Sequence, residues 1–174
     1  MSPDRFPAFM RLAAAAAAAL LLSACPFSSD TPLADPATGV QDQGLAGSWK
    51  MLDPETGEQV VLSFHPFNDH EYVAVSQDGS KLETFRVFAT TVGGERFLNV
   101  RQIDTDDQGW YFVRYQLRAG QLSLRFVDDG LFRSLVFTTP GDLHDFIRDH
   151  LADPLLYSAA DDEPMESLWD RVKE

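Results

Sequence analysis

The chain has a single cysteine, Cys25, so no disulfide can form within it. It is also short of basic residues, with 14 lysines and arginines against 27 aspartates and glutamates, a formal charge of −13. A surface of that sign has no electrostatic affinity for a phosphate backbone, which excludes nucleic acid as a partner. Anionic lipid repels it too, over about 8 Å at physiological salt. No run of about 20 apolar residues, the length of a membrane-crossing helix, occurs anywhere. Catalytic and metal patterns are equally scarce. There is no Gly-x-Ser-x-Gly elbow and no glycine-rich phosphate loop. His70-Glu71 opens like a zinc motif, but Ala74 stands where the second histidine belongs. His65 and His70 flank one turn without a third ligand. Residues 104–109 resemble the start of a calcium loop, yet Tyr115 occupies the position of the required bidentate glutamate. The expectation is no catalytic residue, no metal, no cofactor and no enzyme.

What is present begins with residues 1–24. Arg5 and Arg11 form a basic flank, positions 12–22 are unbroken apolar residues, mostly alanine, and Ser23 and Ala24 are small. This is the form of a secretory signal. Leu22-Ser23-Ala24-Cys25 resembles the lipobox of bacterial lipoproteins. The resemblance implies cleavage before Cys25, a thioether-linked lipid on its sulfur, and acylation of its new amino group by a fatty acid such as palmitate. Membrane attachment through lipid on Cys25 follows, because two or more acyl chains hold stably where one holds marginally. The implied location is the bacterial cell envelope, facing the periplasm. Pro26 stands where inner-membrane retention is usually marked by aspartate, which favours the outer membrane. With Cys25 carrying lipid, the folded part stands on its core alone.

Residues 25–44 hold that cysteine and then Pro26, Pro32 and Pro36 among Ser, Thr, Asp and Gly. They read as a flexible tether with a root-mean-square span of roughly 25 Å. The remaining residues, 45–174, read as one domain.

Within it, strand-like runs alternate with turn signals. The runs are 45–52, 58–65, 70–76, 82–91, 95–103, 110–117, 121–127 and 131–137. Asp78-Gly79, Gly93-Gly94 and Ala119-Gly120 mark tight hairpins. No connection is long enough for a crossover helix, so the strands pair antiparallel. The fold class is all-β: an up-and-down meander of about eight strands closing into a barrel or half-barrel, which removes its edges. After it, Thr139-Pro140 reads as an N-cap and first helical residue. Leu143, Phe146, Ile147, His150 and Leu151 then share one face of a C-terminal helix packed on the barrel, stopped by Asp153-Pro154. Residues 159–164 read as mobile and acidic, and residues 166–172 as a final turn through Leu168 and Trp169.

Gly47-Ser48-Trp49, at the start of the first strand, resembles the Gly-x-Trp signature of lipocalins and related calycin barrels. The resemblance implies a lipocalin-like barrel in which Gly47 and Trp49 are a structural signature, with the tryptophan packed across a closed base. In that family a late arginine packs on the tryptophan; Arg125 and Arg133 are the candidates here. No Thr-Asp-Tyr motif follows.

The barrel interior is the candidate binding site. Phe64, Tyr111, Tyr115, Leu124 and Phe126 fall on alternating positions that face inward. Eight strands leave room for packed side chains or one small ligand. Arg86, Arg101, Arg114, Arg125 and Arg133 recur along the strands; they are read as outward partners for the many acids, since an unpaired buried arginine is costly. Two functions remain. One is binding of a small hydrophobic or amphipathic ligand inside the barrel. The other is a non-enzymatic accessory or assembly role, with the outer surface docking another envelope protein. An apolar cavity of about 300 Å³ or more, open at one end, favours the first; a filled barrel bearing an exposed apolar patch favours the second.

Overall fold

A computed structural model describes residues 26–53, 56–103, 105–106, 108–132, 135–157 and 166–173. Among them are nine strands: β1 (Ser28–Ser29), β2 (Gly47–Leu52), β3 (Gln59–Pro66), β4 (Glu71–Asp78), β5 (Lys81–Val92), β6 (Glu95–Gln102), β7 (Trp110–Arg118), β8 (Gln121–Phe126) and β9 (Glu166–Arg171). One α-helix, α1 (Pro140–Asp149), lies between β8 and β9. Strands β2 to β9 pair antiparallel, each with the next, and β9 pairs back onto β2. The sheet is therefore a closed, up-and-down, lipocalin-like barrel of eight strands. The hairpin signals hold: Gly79, Gly93, Gly94, Ala119 and Gly120 all take positive φ in the turns.

Seven of the eight expected runs are barrel strands. The eighth, 131–137, is not. Asp129–Leu131 is a 3₁₀ turn capped by Asp128, and Phe132 and Phe137 pack on the outside of the barrel rather than in its wall. The closing strand is β9, where a final turn was expected. Trp169 faces inward from it, between Leu122 of β8 and the Trp49 side of β2. Residues 159–164 lie outside the described residues.

Two apolar clusters result from the strict alternation of the strands. The inner one fills the barrel with Trp49, Val60, Phe64, Tyr72, Val87, Leu98, Tyr115, Leu122, Leu124 and Trp169. The outer one covers β5 to β7, whose outward positions are also apolar: Phe88, Val92, Phe97, Trp110 and Phe112. Helix α1 supplies Leu143 and Ile147 to this layer, with Thr139 Oγ1 capping it by accepting the Asp142 N–H at 3.2 Å.

The second cover is residues 26–44, and here the flexible tether is corrected. Phe27 N–H donates to Val127 O at 3.0 Å, β1 pairs with Tyr111 and Trp110 of β7, and Phe27 stacks on Phe132. Leu33 is 2% exposed, and its N–H donates to the fully buried Asn99 Oδ1 at 2.8 Å. Pro36–Thr38 forms a 3₁₀ turn capped by Asp35. Val40 N–H then reaches Ala89 O. The prolines suit a segment laid across strands, because they set an extended backbone and bring no N–H to satisfy.

The segment then folds over one end of the barrel and enters β2. Trp49 is buried there, its Nε1 donating to Leu45 O at 2.9 Å. Arg171 of β9 lies over its ring at 5.1 Å and donates to Gly44 O and Ala46 O at 2.9 and 2.6 Å. Arg171 thus takes a place over the tryptophan like the one for which the Gly-x-Trp resemblance made Arg125 and Arg133 the candidates. Arg125 instead faces outward on β8, and Arg133 lies outside the described residues. Gly47 has φ of 112°, and a Cβ on it would stand 3.0 Å from Arg171 Nη2, so the signature glycine makes room for that arginine.

Two substitutions check these assignments by urea unfolding. Leu33→Ala is expected to cost ~2–5 kcal/mol, and Trp169→Ala ~3–5 kcal/mol, as buried large side chains do. Costs below ~0.5 kcal/mol, typical of exposed positions, would contradict the packing.

Candidate functional site

The end of the barrel crossed by residues 38–46 carries a cleft of about 560 Å³. Thr38 to Gln43 form one wall, with Ala89, Thr90 and Thr91 of β5, Arg96 of β6 and Tyr115 of β7 opposite. Alternation explains the lining. Leu98 and Val100 face inward on β6, so Arg96, two residues earlier, faces the barrel mouth. Tyr115 faces inward with Val113 and Leu117 on β7.

Asp42 organises this end. Its Oδ2 accepts from Arg96 Nη1 at 2.5 Å and from Tyr115 OH at 3.1 Å. Its Oδ1 accepts the Gly44 N–H at 2.9 Å, and its backbone O accepts Tyr72 OH at 2.8 Å. The Arg96 guanidinium lies 4.8 Å from the centre of the Tyr115 ring, a cation–π distance. One residue thus pins the crossing segment, its carboxylate to β6 and β7 and its backbone carbonyl to β4. The cleft sets the exposed Val40, with the buried Ala89 and Tyr115 behind it, beside the half-exposed Arg96.

Both tyrosines hold their protons strongly. Burial, and then the negative charge of Asp42, push Tyr72 up to about 12 and Tyr115 further still.

The five interior residues singled out from the sequence divide. Phe64, Tyr115 and Leu124 are buried in the inner core, and Phe126 packs against it half-buried. Tyr111 is half-buried near the start of β7, at the other end of the barrel. Only Tyr115 lines the cleft. That other end is also apolar, with Met51, Leu62, Phe85, Val100 and Phe126 all partly exposed. Between the two ends the interior is filled by side chains. Cys25 lies outside the described residues.

Of the strand arginines singled out from the sequence, Arg86, Arg101, Arg114 and Arg125 face outward, on positions alternating with the inner core, and Arg133 lies outside the described residues. Arg86 makes a two-bonded pair with the buried Glu71, and Arg114 pairs with Glu95 at 2.8 Å. Arg114 and Arg125 lie over Tyr157, beside a smaller polar hollow of about 130 Å³. His70 Nδ1 donates to Gly39 O at 2.9 Å, which ties the β3–β4 loop to the crossing segment.

Sequence reasoning missed Asp42 and Arg96. Arg96 was legible by counting back from Leu98 and Val100. Asp42 was not, because its Gln-Asp-Gln-Gly setting is that of a linker. No family model matches this chain, and no curated protein or solved structure matches it significantly.

The two tyrosines give a pH prediction. In the unfolded chain a tyrosine loses its proton near pH 10. In the fold these two keep theirs to about 12 and beyond. Above pH 10 the unfolded state binds fewer protons, so their contribution is complete below pH 10 and falls as pH rises through the folded value. Urea unfolding at about pH 9 and about pH 11 is expected to show that loss, and Tyr115→Phe is expected to reduce its slope. An unchanged slope in Tyr115→Phe would contradict the assignment.

Proposed function

We propose that this protein is a lipid-anchored lipoprotein of the cell envelope, carried on acylated Cys25, whose lipocalin-like barrel binds a small amphipathic ligand in the cleft beside Asp42. One observation carries the binding reading: the 560 Å³ cleft falls inside the range of small-molecule sites. Its lining supports an amphipathic occupant. Val40, the exposed apolar side chain of the lining, suits an apolar tail, while Arg96, 42% exposed at its side chain, offers free donor capacity to an anionic or polar head. A purely hydrophobic ligand fits less well, because Thr38, Gln41, Thr90 and Thr91 line the same space.

The reading is of a binding protein rather than an enzyme. Asp42 and Arg96 are bonded to each other and hold structure. The anchor rests on Leu22-Ser23-Ala24-Cys25 and the basic and apolar residues before it. The periplasmic face, and the outer membrane over the inner, rest on the same leader and on Pro26.

Native mass spectrometry of protein taken from its own membrane tests the proposal. A bound small molecule is expected. Val40 is 69% exposed, so Val40→Glu is expected to leave stability within about 0.5 kcal/mol while placing a negative charge in the cleft. Bound ligand should fall by about tenfold or more, the equivalent of ~1.4 kcal/mol. If no small molecule co-purifies and cross-linking captures an envelope protein instead, the accessory role replaces this one.

A further inference from the structure

Pro26 is the first described residue, and it already belongs to the fold. Its backbone bridges to Asp128. Phe27 N–H donates to Val127 O at 3.0 Å, and the Phe27 ring stacks on Phe132 with centroids 3.8 Å apart. Ser28 and Ser29 pair with Tyr111 and Trp110. Cys25 is therefore one peptide bond from a fixed point on the barrel wall.

That point is at the end opposite the cleft. Strand β7 starts there at Trp110, and β8 finishes there at Phe126. Leu135 and Val136 stand beside it, 43% and 87% exposed. They directly precede Phe137, whose ring lies 6.4 Å from that of Phe27. Two aliphatic side chains thus face water next to the place where the lipid would be attached.

Resting on the reading of Cys25 as a lipid-bearing residue, we propose that residues 26–33 are a rigid mount that seats the Leu135–Val136 edge of the barrel on the bilayer and points the Asp42 cleft away from it. An acyl chain in hydrocarbon holds residue 25 at the interface, and one residue of chain spans at most ~3.6 Å. Phe27 and its neighbours are then within a few ångströms of the headgroups, with no slack for the domain to lift away. Leu135 and Val136 meet the interface as a result. Exposed Asp30 and Asp106 lie at the same end, so the acyl chains, not the protein surface, supply the attachment, and Leu135 and Val136 are the apolar part of the seat. Asp128 at this edge is buried, with Oδ1 accepting the Gly130 N–H at 2.8 Å.

The mount also has a direction. From β1 the segment runs along the wall past Asn99 and Ala89 to Asp42, crossing from one end of the barrel to the other. The cleft is thereby held a barrel length from the membrane and open to the aqueous compartment. Its ligand arrives through water, not by lateral movement out of the bilayer.

Nitroxide labels on the full lipoprotein test this. The Cys25 thiol is consumed by lipid, so Val136→Cys and Phe67→Cys each give one labelling site. Phe67 is 69% exposed, in the β3–β4 loop at the cleft end. In vesicles of phosphatidylethanolamine and phosphatidylglycerol, collision with oxygen reports the membrane, and collision with a water-soluble nickel chelate reports water. The oxygen-to-nickel ratio is expected to be several-fold higher at 136 than at 67. A flexible Gly-Ser insertion between Cys25 and Pro26 is expected to abolish that difference while the protein stays on the vesicles. Equal ratios in the uninserted protein, with the chain still vesicle-bound, would overturn the mount and leave the anchor standing. A label at 136 shielded from both reagents would also overturn it, in favour of a protein contact. An unmodified Cys25 by mass would remove the anchor and the mount together.

Discussion

The seven strands from β2 to β8 form a meander with two open edges, and unpaired edge groups are both costly and adhesive. Everything else in the molecule depends on how those edges are joined. Strand β9 fills the gap, with Trp49 and Lys50 of β2 on one side and residues 121–125 of β8 on the other. The join is locked at one end by Arg171. Its guanidinium lies over Trp49, its donors hold Gly44 O and Ala46 O, and Gly47 leaves it space. Strands β2 and β9 and the crossing segment meet at one residue. The cleft exists because the crossing segment is held there, and Asp42 is its second fixing point.

The second constraint is the apolar outer face of β5 to β7. A barrel strand that is buried on both faces needs a cover, and the chain supplies two. Helix α1 arrives between β8 and β9, and residues 26–40 arrive before β2. They meet through aromatic contacts, Phe27 with Phe132 and Phe137, and Phe137 with Phe146 of the helix at 5.3 Å. The cover therefore ties Phe27 and the segment that follows it to the connection that delivers the closing strand. Among the described residues Asn99 is the one fully buried amide, and it accepts the Leu33 N–H across this layer. A satisfied polar group at such a position fixes the path of the segment more sharply than apolar contact does.

Much of this was legible in the residues. Alternation in Tyr111-Val113-Tyr115-Leu117 or Leu122-Leu124-Phe126, with Gly-containing turns between runs, is the direct image of a half-buried strand. Thr139-Pro140 announced α1. Strand β9 was illegible because only Trp169 among its inward positions is apolar. Ser167 and Arg171 share that face, and the exposed Leu168 sits on the other. Residues 131–137 misled for the opposite reason: they are as apolar as a strand, but their rings serve the outer layer. Residues 26–44 have a linker's composition, and two apolar contacts, Phe27 and Leu33, with the Val40 N–H bonded to Ala89 O, sufficed to lay them on the wall. Local pattern reports how a segment alternates. It does not report what surface elsewhere awaits cover.

Of the candidate site, Tyr115 was legible as an interior aromatic, while the other interior residues proved to be core or far-end lining. The binding reading rests on the geometry around Asp42, and that geometry rests on barrel closure. Hydrogen exchange of the native protein tests the closure most directly. If β9 is a wall strand, the amides of Trp169 to Arg171 exchange as slowly as those of β2 and β8, near the limit of global unfolding. If they exchange at the rate of a free chain while β2 to β8 stay protected, the barrel is open between β2 and β8, and the account fails.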